Sequence, residues 1–259
     1  MRPATPIPTR VHGRRFGVEI ECVLDPRAAA QALRDAGVTT EGYMGYTHDV
    51  TAGWKVVTDA TVHNGCEVVS PILKGAAGIR EMKRVMKALK AAGARVDRRC
   101  GLHVHHDVND LDGETIARLV ESYAYHQASI DTFLPASRRG GQWCGHFRGR
   151  EVGMVCEALR RDAASLRSGA TDMPVDRYRT VNVTAYAKYG TVEFRQHQGT
   201  LNGRKAAAWV SLGWSLVGAA KAASDHTAHG DVLDLAAAHG LSAPDRAYLA
   251  ARREALSAA

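Results

Sequence analysis

Three short segments of the sequence, at 16–22, 101–107 and 191–197, carry ionisable side chains on alternate residues. These side chains are carboxylates, imidazoles and one guanidinium: Glu19 and Glu21, then His103, His105 and Asp107, then Glu193 and Arg195. Successive side chains of a β-strand point to opposite faces, so each set shares one face and its apolar neighbours share the other. The pattern predicts a sheet with an apolar back and a front of groups suited to metals, phosphates or protons.

The first and second segments suggest metal chemistry. Glu19 and Glu21 would lie about 6.5–7 Å apart at Cα on one strand face, a spacing that lets each hold a different divalent ion. If His103 and Glu193 join Glu19, they make a carboxylate-rich site suited to Mg²⁺ or Mn²⁺. Glu67 lies on a further predicted strand, where Cys66 and Val68 face the other way.

The third segment and a glycine-rich loop at 136–150 suggest phosphate chemistry. Arg195 follows Glu193 on the same face, where it forms either a plain salt bridge or a clamp on a metal-bound phosphate. The loop holds four arginines that either fold over phosphates or remain solvated: Arg138, Arg139, Arg148 and Arg150. We find no Walker A sequence, dinucleotide fingerprint or nucleophile elbow, so any nucleotide must be held by metals and a sheet face.

The elements that position these residues predict an α+β fold, with antiparallel strands and helices inserted between them. Residues 1–14 are predicted as a weakly ordered lead-in, and 15–259 as one catalytic domain with C-terminal helices from about 203. The predicted strands lie at about 15–24, 54–57, 66–69 and 101–107, with a strand pair at about 178–197. The predicted helices lie at 26–37, 79–93, 113–134 and 151–168, after Asn202, and at 230–239 and 243–257.

Composition limits the class of protein. The chain has 259 residues with a formal charge of +7, which favours anionic partners. Its five scattered cysteines make a disulfide framework improbable and favour a reducing compartment. No apolar leader or membrane-length apolar stretch is present, so we predict a cytoplasmic protein with no membrane partner.

Two other functions fit parts of the pattern. A metal-dependent hydrolase is suggested by His103, His105 and Asp107, although such enzymes need further ligands and His126, His146, His197, His226 and His229 follow no such spacing. A non-catalytic protein that binds anions or nucleic acid is suggested by the charge. That second alternative lacks a recognition motif and an aromatic stacking platform, so no specific nucleic acid is expected.

Six motifs in order resemble the putative amidoligase family. They are FGVEIE at 16–21, EVVSP at 67–71, CGLHVH at 100–105, SRR at 137–139, RYRTVN at 177–182 and VEFRQHQGTLN at 192–202. That family belongs with glutamine synthetase and glutamate–cysteine ligase among the carboxylate–amine ligases. The resemblance covers about residues 15 to 215 and implies an antiparallel sheet curved into a half-barrel funnel, with helices on its outer face.

The resemblance also implies ATP, Mg²⁺ or Mn²⁺, and amide or isopeptide formation through an acyl-phosphate. The carboxylate and amine would belong to an amino acid, a peptide or a protein side chain, and the oligomeric state is left open. It implies that Glu19, His103 and Glu193 hold the metal at the ATP phosphates, and Glu21 and Glu67 the metal nearer the substrate. Arg195 would stabilise the transferring phosphoryl group, and His105, Arg138 and Arg139 would contact the nucleotide. Asp59 is a further acidic candidate for the substrate side.

Overall fold

The computed structural model describes residues 13–258, so the predicted lead-in at 1–14 lies almost wholly outside the described residues. Its centre is one eight-stranded sheet with the order β2-β3-β4-β1-β6-β8-β7, and β5 pairs with β1 outside this path. The strands are β1 (Arg15–Cys22), β2 (Thr40–Tyr43), β3 (Trp54–Val57), β4 (Cys66–Val69), β5 (Leu73–Lys74), β6 (Gly101–Asp107), β7 (Val181–Asn182) and β8 (Thr191–Gln198).

Helices fill most of the intervals between strands. They are α1 (Pro26–Asp35), α2 (Gly75–Ala91), α3 (Gly113–Tyr125), α4 (Gln127–Asp131), α5 (Glu151–Ser168), α6 (Ala185–Tyr189), α7 (Gly203–Lys221), α8 (Val232–Ala238) and α9 (Ala243–Ser257). The mixed α and β composition is as predicted. Within the described chain, no helix combines the length and the apolar character needed to cross a membrane.

The period-two pattern separates the two faces of the sheet as predicted. Val18 and Ile20 of β1 are buried on the core face, together with Leu102 and Val104 of β6. The helix α7 covers this face, and its contacts with β6 and with α2 and α3 join the sheet to the helical layer. Burial of this apolar surface stabilises the sheet from one side and leaves the polar side of the same strands free for a site.

Two predicted elements are wrong in their extent. The helix predicted at 113–134 ends at Tyr125, because the backbone at His126 leaves helical geometry and its Nδ1 lies 2.9 Å from the carbonyl oxygen of Ser122. The strand pair predicted at 178–197 is interrupted by α6. There the Asn182 Oδ1 accepts hydrogen bonds from the backbone and hydroxyl of Thr184, at 2.9 and 2.7 Å, which turns the chain out of β7.

The sheet is mostly antiparallel, but β2 and β3 pair in parallel, so the prediction of a wholly antiparallel sheet is wrong at this edge. Parallel neighbours cannot be joined by a tight turn. The connection, residues 44–53, instead passes over the polar face of the sheet, where Thr47 and His48 line a cavity. We call residues 44–53 the strap. The curvature into a half-barrel funnel stays a prediction.

His106 predicts a measurable acid sensitivity. It is fully buried on the core face of β6, and neither ring nitrogen has a hydrogen-bond partner among residues 13–258. Burial, and next the positive charge of Arg14, lower the pKa of His106 to about 3. The unfolded chain takes up a proton at about pH 6.5 whereas the folded chain does not, so stability falls as the pH drops from about 6.5 towards 3.

We expect His106→Leu to remove this contribution, because leucine fills a similar volume and does not titrate. We would measure the free energy of unfolding in urea at pH 7.5 and at pH 4.5. The decrease between the two pH values should be about 2–3 kcal/mol smaller in the variant than in the wild type, since each pKa unit corresponds to about 1.4 kcal/mol. Val96→Leu at an exposed position supplies the control, since it introduces the same residue, removes no titratable group and should leave the pH dependence as it is. Equal pH dependence in wild type and His106→Leu would contradict the assignment.

Candidate active site

The strand register brings the predicted carboxylates and imidazoles together on the polar face. Glu19 of β1 lies between Val69 of β4 and His103 of β6. One step along, Glu21 faces Glu67 across the β1–β4 ladder, and His105 faces Glu193 across the β6–β8 ladder. Directly opposed side chains in a sheet lie within contact distance, so these three adjacent ladders build one cluster.

His103 is the centre of this cluster. Its Nδ1 lies 3.0 Å from Glu19 Oε2 and 3.6 Å from Glu193 Oε1, and its Nε2 lies 3.6 Å from Glu21 Oε1. The β6–β8 register shifts between Leu102 and Val104, which places an irregularity at His103 itself. Bulges of this kind redirect a side chain and are common beside active sites.

The cluster contains two overlapping sets of ligand atoms that fit a metal. Glu19, His103 and Glu193 form one set, and Glu21, Glu67 and His103 form the other, with the atoms of each set within 4.8 Å of one another. Carboxylate oxygens dominate both sets, which suits the hard ions Mg²⁺ and Mn²⁺ better than zinc. The five residues predicted as metal ligands therefore lie together, and their chemistry fits such ions.

Two of the carboxylates have pKa values that are shifted in opposite directions. Burial alone would raise the pKa of Glu19, but hydrogen bonds and charge interactions with His103 and His105 hold it well below its ordinary value. Burial raises the pKa of Glu67 well above its ordinary value, and the negative charges of Glu19 and Glu21 add to the effect. The raised pKa of Glu67 is the behaviour of a buried carboxylate close to other negative charges.

Further groups hold the carboxylates in place. Glu193 accepts a hydrogen bond from Asn182 Nδ2 at 2.6 Å, and Glu21 accepts one from the backbone N–H of Gly101, also at 2.6 Å. His105 lies 3.2 Å from Glu19 through Nε2 and 2.9 Å from Thr191 Oγ1 through Nδ1. Such outer partners fix the orientation of ligand side chains.

The three arginines predicted to contact phosphate or nucleotide lie in different surroundings. Arg195 Nη1 lies 2.5 Å from Glu193 Oε1, so the guanidinium is at the cluster. Arg138 lines the same cavity but is buried, and it donates to the carbonyl oxygen of Cys100. Arg139 is exposed, does not line the cavity, and donates to the carbonyl oxygen of Leu134 at 2.9 Å. The structure therefore brings together two of these three arginines and the carboxylates.

The cluster lies on the wall of a cavity of about 600 Å³. Asp59 lines it, as do several cations to which no role was assigned from the sequence: Arg98, Arg99, Arg177 and Lys188. Arg98 and Arg99 lie in a short basic stretch at 95–99, but nothing in the sequence places them at this site. A cavity of this size, acidic at its wall and basic around it, suits a polyanion held by cations.

The hydrolase alternative gains no support from this geometry. Asp107 Oδ1 accepts hydrogen bonds from the backbone and side chain of Asn109, at 3.0 and 2.8 Å, and Asp107 does not line the 600 Å³ cavity. Nor is that cavity lined by any of His126, His146, His197, His226 and His229. His103 and His105 lie together on the wall of this cavity, whereas Asp107 lines only a smaller neighbouring cavity that His105 also reaches.

A family model described as "Putative amidoligase enzyme" matches residues 12–217. No curated protein matches the chain. The matched range contains every residue of the cluster, together with the strap and α1 to α6.

Proposed function

Because the chain belongs to the putative amidoligase family, whose description names a ligase-type enzyme, we propose that it joins a carboxylate to an amine at the expense of ATP. The observation that carries this proposal is the convergence of five predicted ligands on two metal-sized sets that share His103. The guanidinium of Arg195 is immediately beside them. One site thereby offers both the negative groups that bind magnesium and a cation for phosphate.

In this proposal Glu19, His103 and Glu193 hold a divalent ion at the ATP phosphates, and Glu21 and Glu67 hold one nearer the substrate carboxylate. Such ions neutralise the charge of phosphoryl oxygens. The protein itself positions the ligands through Asn182 and the Gly101 N–H, and its Arg195 lies where it can stabilise a phosphoryl group.

The proposed reaction has two steps. A substrate carboxylate oxygen takes the γ-phosphoryl group of ATP, and ADP leaves. An amine then attacks the acyl carbon, phosphate leaves with the C–O bonding pair, and the amine loses a proton. The substrates are taken to be amino acids, peptides or a protein side chain.

Hydroxylamine tests this route because it intercepts acyl-phosphates as stable hydroxamates. We would incubate the protein with Mg²⁺, ATP, hydroxylamine and a panel of the twenty amino acids and short peptides, and measure ADP and hydroxamate. At least one carboxylate should give both products in equal amounts, and neither should form without ATP or Mg²⁺. ATP consumption with no carboxylate dependence, or none with any compound, would contradict the proposal.

Arg195→Lys should lower the rate of hydroxamate formation about 100-fold, since lysine keeps the charge but loses the planar fork that fits a phosphoryl group. Binding of a non-hydrolysable ATP analogue in Mg²⁺, measured by calorimetry, should change far less than the rate. Arg161→Lys, an exposed position on α5, is the matched control and should keep the wild-type rate. A rate within a factor of two of wild type for Arg195→Lys would remove this role.

A further inference from the structure

A second, smaller cavity of about 160 Å³ lies beside the first. The two cavities share Glu19, Glu67 and His105 at the sheet, and Thr47 and His48 of the strap. Tyr189 Oη donates to the carbonyl oxygen of His48 at 3.2 Å, so the strap is tied to the opposite side of the groove. The groove therefore has two compartments that meet at the carboxylates.

Lys55 brings an almost fully buried ammonium group to the smaller compartment. The residue is 2% exposed and lines this cavity but not the larger one. Its Nζ donates to two strap carbonyl oxygens, of Thr47 at 3.3 Å and of Asp49 at 2.5 Å. That leaves one of its three donors, and within residues 13–258 no carboxylate lies within 4.0 Å of it. Its hydrogen-bond partners are both neutral, while the carboxylates of Asp49, Glu67 and Glu19 attract it from farther away. The remaining donor can therefore still bind an added anion directly.

Gly17 keeps the floor of the smaller compartment open. On β1 the polar face is formed by Gly17, Glu19 and Glu21, two residues apart. A Cβ on Gly17 would meet Ser70 Oγ at 3.7 Å and His105 Cβ at 3.8 Å, which are ordinary contacts, and its backbone does not require glycine. Packing does not explain the missing side chain, whereas an occupant of the cavity does.

The outer edge of this compartment is apolar. Val50 of the strap and Ile72 after β4 both line it, and each is 62% exposed. At about 160 Å³ the compartment lies below the range of cavities that hold a whole nucleotide-sized ligand, whereas the larger one lies within it. The small compartment thus combines an inner cation, an open floor and apolar edges, and the acidic residues Glu19, Asp49, Glu67 and Asp107 line the rest of it.

We infer that this compartment binds the co-substrate of the proposed ligase, and that Lys55 binds a carboxylate group of this co-substrate. The rest of the co-substrate lies over Gly17 and extends towards solvent between Val50 and Ile72. The inference rests on the proposed function and adds a specificity site to it. Lys55 selects the anionic group, and the strap, which Lys55 also anchors, separates this group from the nucleotide compartment.

The test uses ligand-observed NMR with N-acetyl amino acids and the corresponding N-acetyl amino acid amides, in Mg²⁺ and a non-hydrolysable ATP analogue. Apolar N-acetyl amino acids should bind at least tenfold more tightly than their amides, because only the acids offer a carboxylate to Lys55. Gly17→Leu should abolish this binding by filling the compartment. Gly153→Leu, at an exposed position with no atom within 4 Å of the added Cβ, should retain it.

Lys55→Met should equalise acid and amide, although it also loosens the strap, so Gly17→Leu is the decisive variant. Binding of acid and amide with equal affinity, unchanged binding in Gly17→Leu, or binding of no compound to the wild type would each overturn the inference. Calorimetry of the ATP analogue separates the two proposals. If the analogue binds in Mg²⁺ while the acids do not, this inference alone fails; if the analogue does not bind, the proposed function fails.

Discussion

Glu19→Gln should reduce hydroxamate formation about 1000-fold, the upper end of the loss when one preorganised electrostatic group is removed. Glu19 belongs to a three-residue ligand set, and it is the carboxylate whose pKa hydrogen bonds from His103 and His105 hold low. The glutamine keeps the size and one oxygen of the side chain but loses the charge. The measurements are the hydroxamate rate and the Mg²⁺-dependent affinity for a non-hydrolysable ATP analogue, and both should fall.

Two controls separate loss of chemistry from loss of fold. Glu157→Gln makes the same change at an exposed position on α5 and should keep the wild-type rate. Glu19→Gln should still unfold in one cooperative transition, because β1 keeps its core residues Val18 and Ile20. If Glu19→Gln keeps more than a tenth of the wild-type rate while the fold is intact, the metal set at Glu19 is not required for the reaction.

The arrangement of the cluster could be predicted from the sequence because it depends on local rules. Alternation within a strand fixes which side chains share a face. The sequence alone therefore predicts that Glu19 shares a face with Glu21, and His103 with His105. The same rule set Glu67 apart from Cys66 and Val68, as the ladder opposite Glu21 confirms. The neighbouring order of β4, β1, β6 and β8 was not predicted, since strand pairing is not a local property. The family resemblance implied only that their side chains hold metals at one site.

The features that escaped prediction depend on tertiary structure. The strap crosses the groove because β2 and β3 pair in parallel. No local pattern in residues 38–57 predicts this parallel pairing. Lys55 was recognisable only as a strand residue, and its role follows from where the strap carbonyl groups lie. The position of Arg139 outside the larger cavity also escaped prediction. Its motif places it next to Arg138, but one residue along a 3-10 turn directs the two side chains to different surroundings.

Glu67→Gln should make the metal-free protein more stable and the enzyme less active. No hydrogen bond from a described group reaches Glu67, and burial together with the nearby carboxylates raises its pKa. The unfolded carboxyl ionises near pH 4.5 and the folded one only at higher pH. Stability therefore falls as the pH rises through this window, and the cost remains at every higher pH. Glutamine does not ionise, so the variant avoids the cost.

We expect Glu67→Gln to be more stable than the wild type at pH 8 without Mg²⁺, because the raised pKa of the wild-type carboxyl costs stability at that pH. The gain should vanish well below pH 4.5, where the wild-type carboxyl is protonated in both the folded and the unfolded state. Addition of Mg²⁺ should stabilise the wild type more than the variant, because a bound ion compensates the carboxylates that repel one another. Hydroxamate formation should fall about 100-fold. If the variant is instead less stable at pH 8 without metal, Glu67 contributes to the packing of the folded protein and is not a strained ligand awaiting an ion. That result would contradict the proposed metal site nearer the substrate.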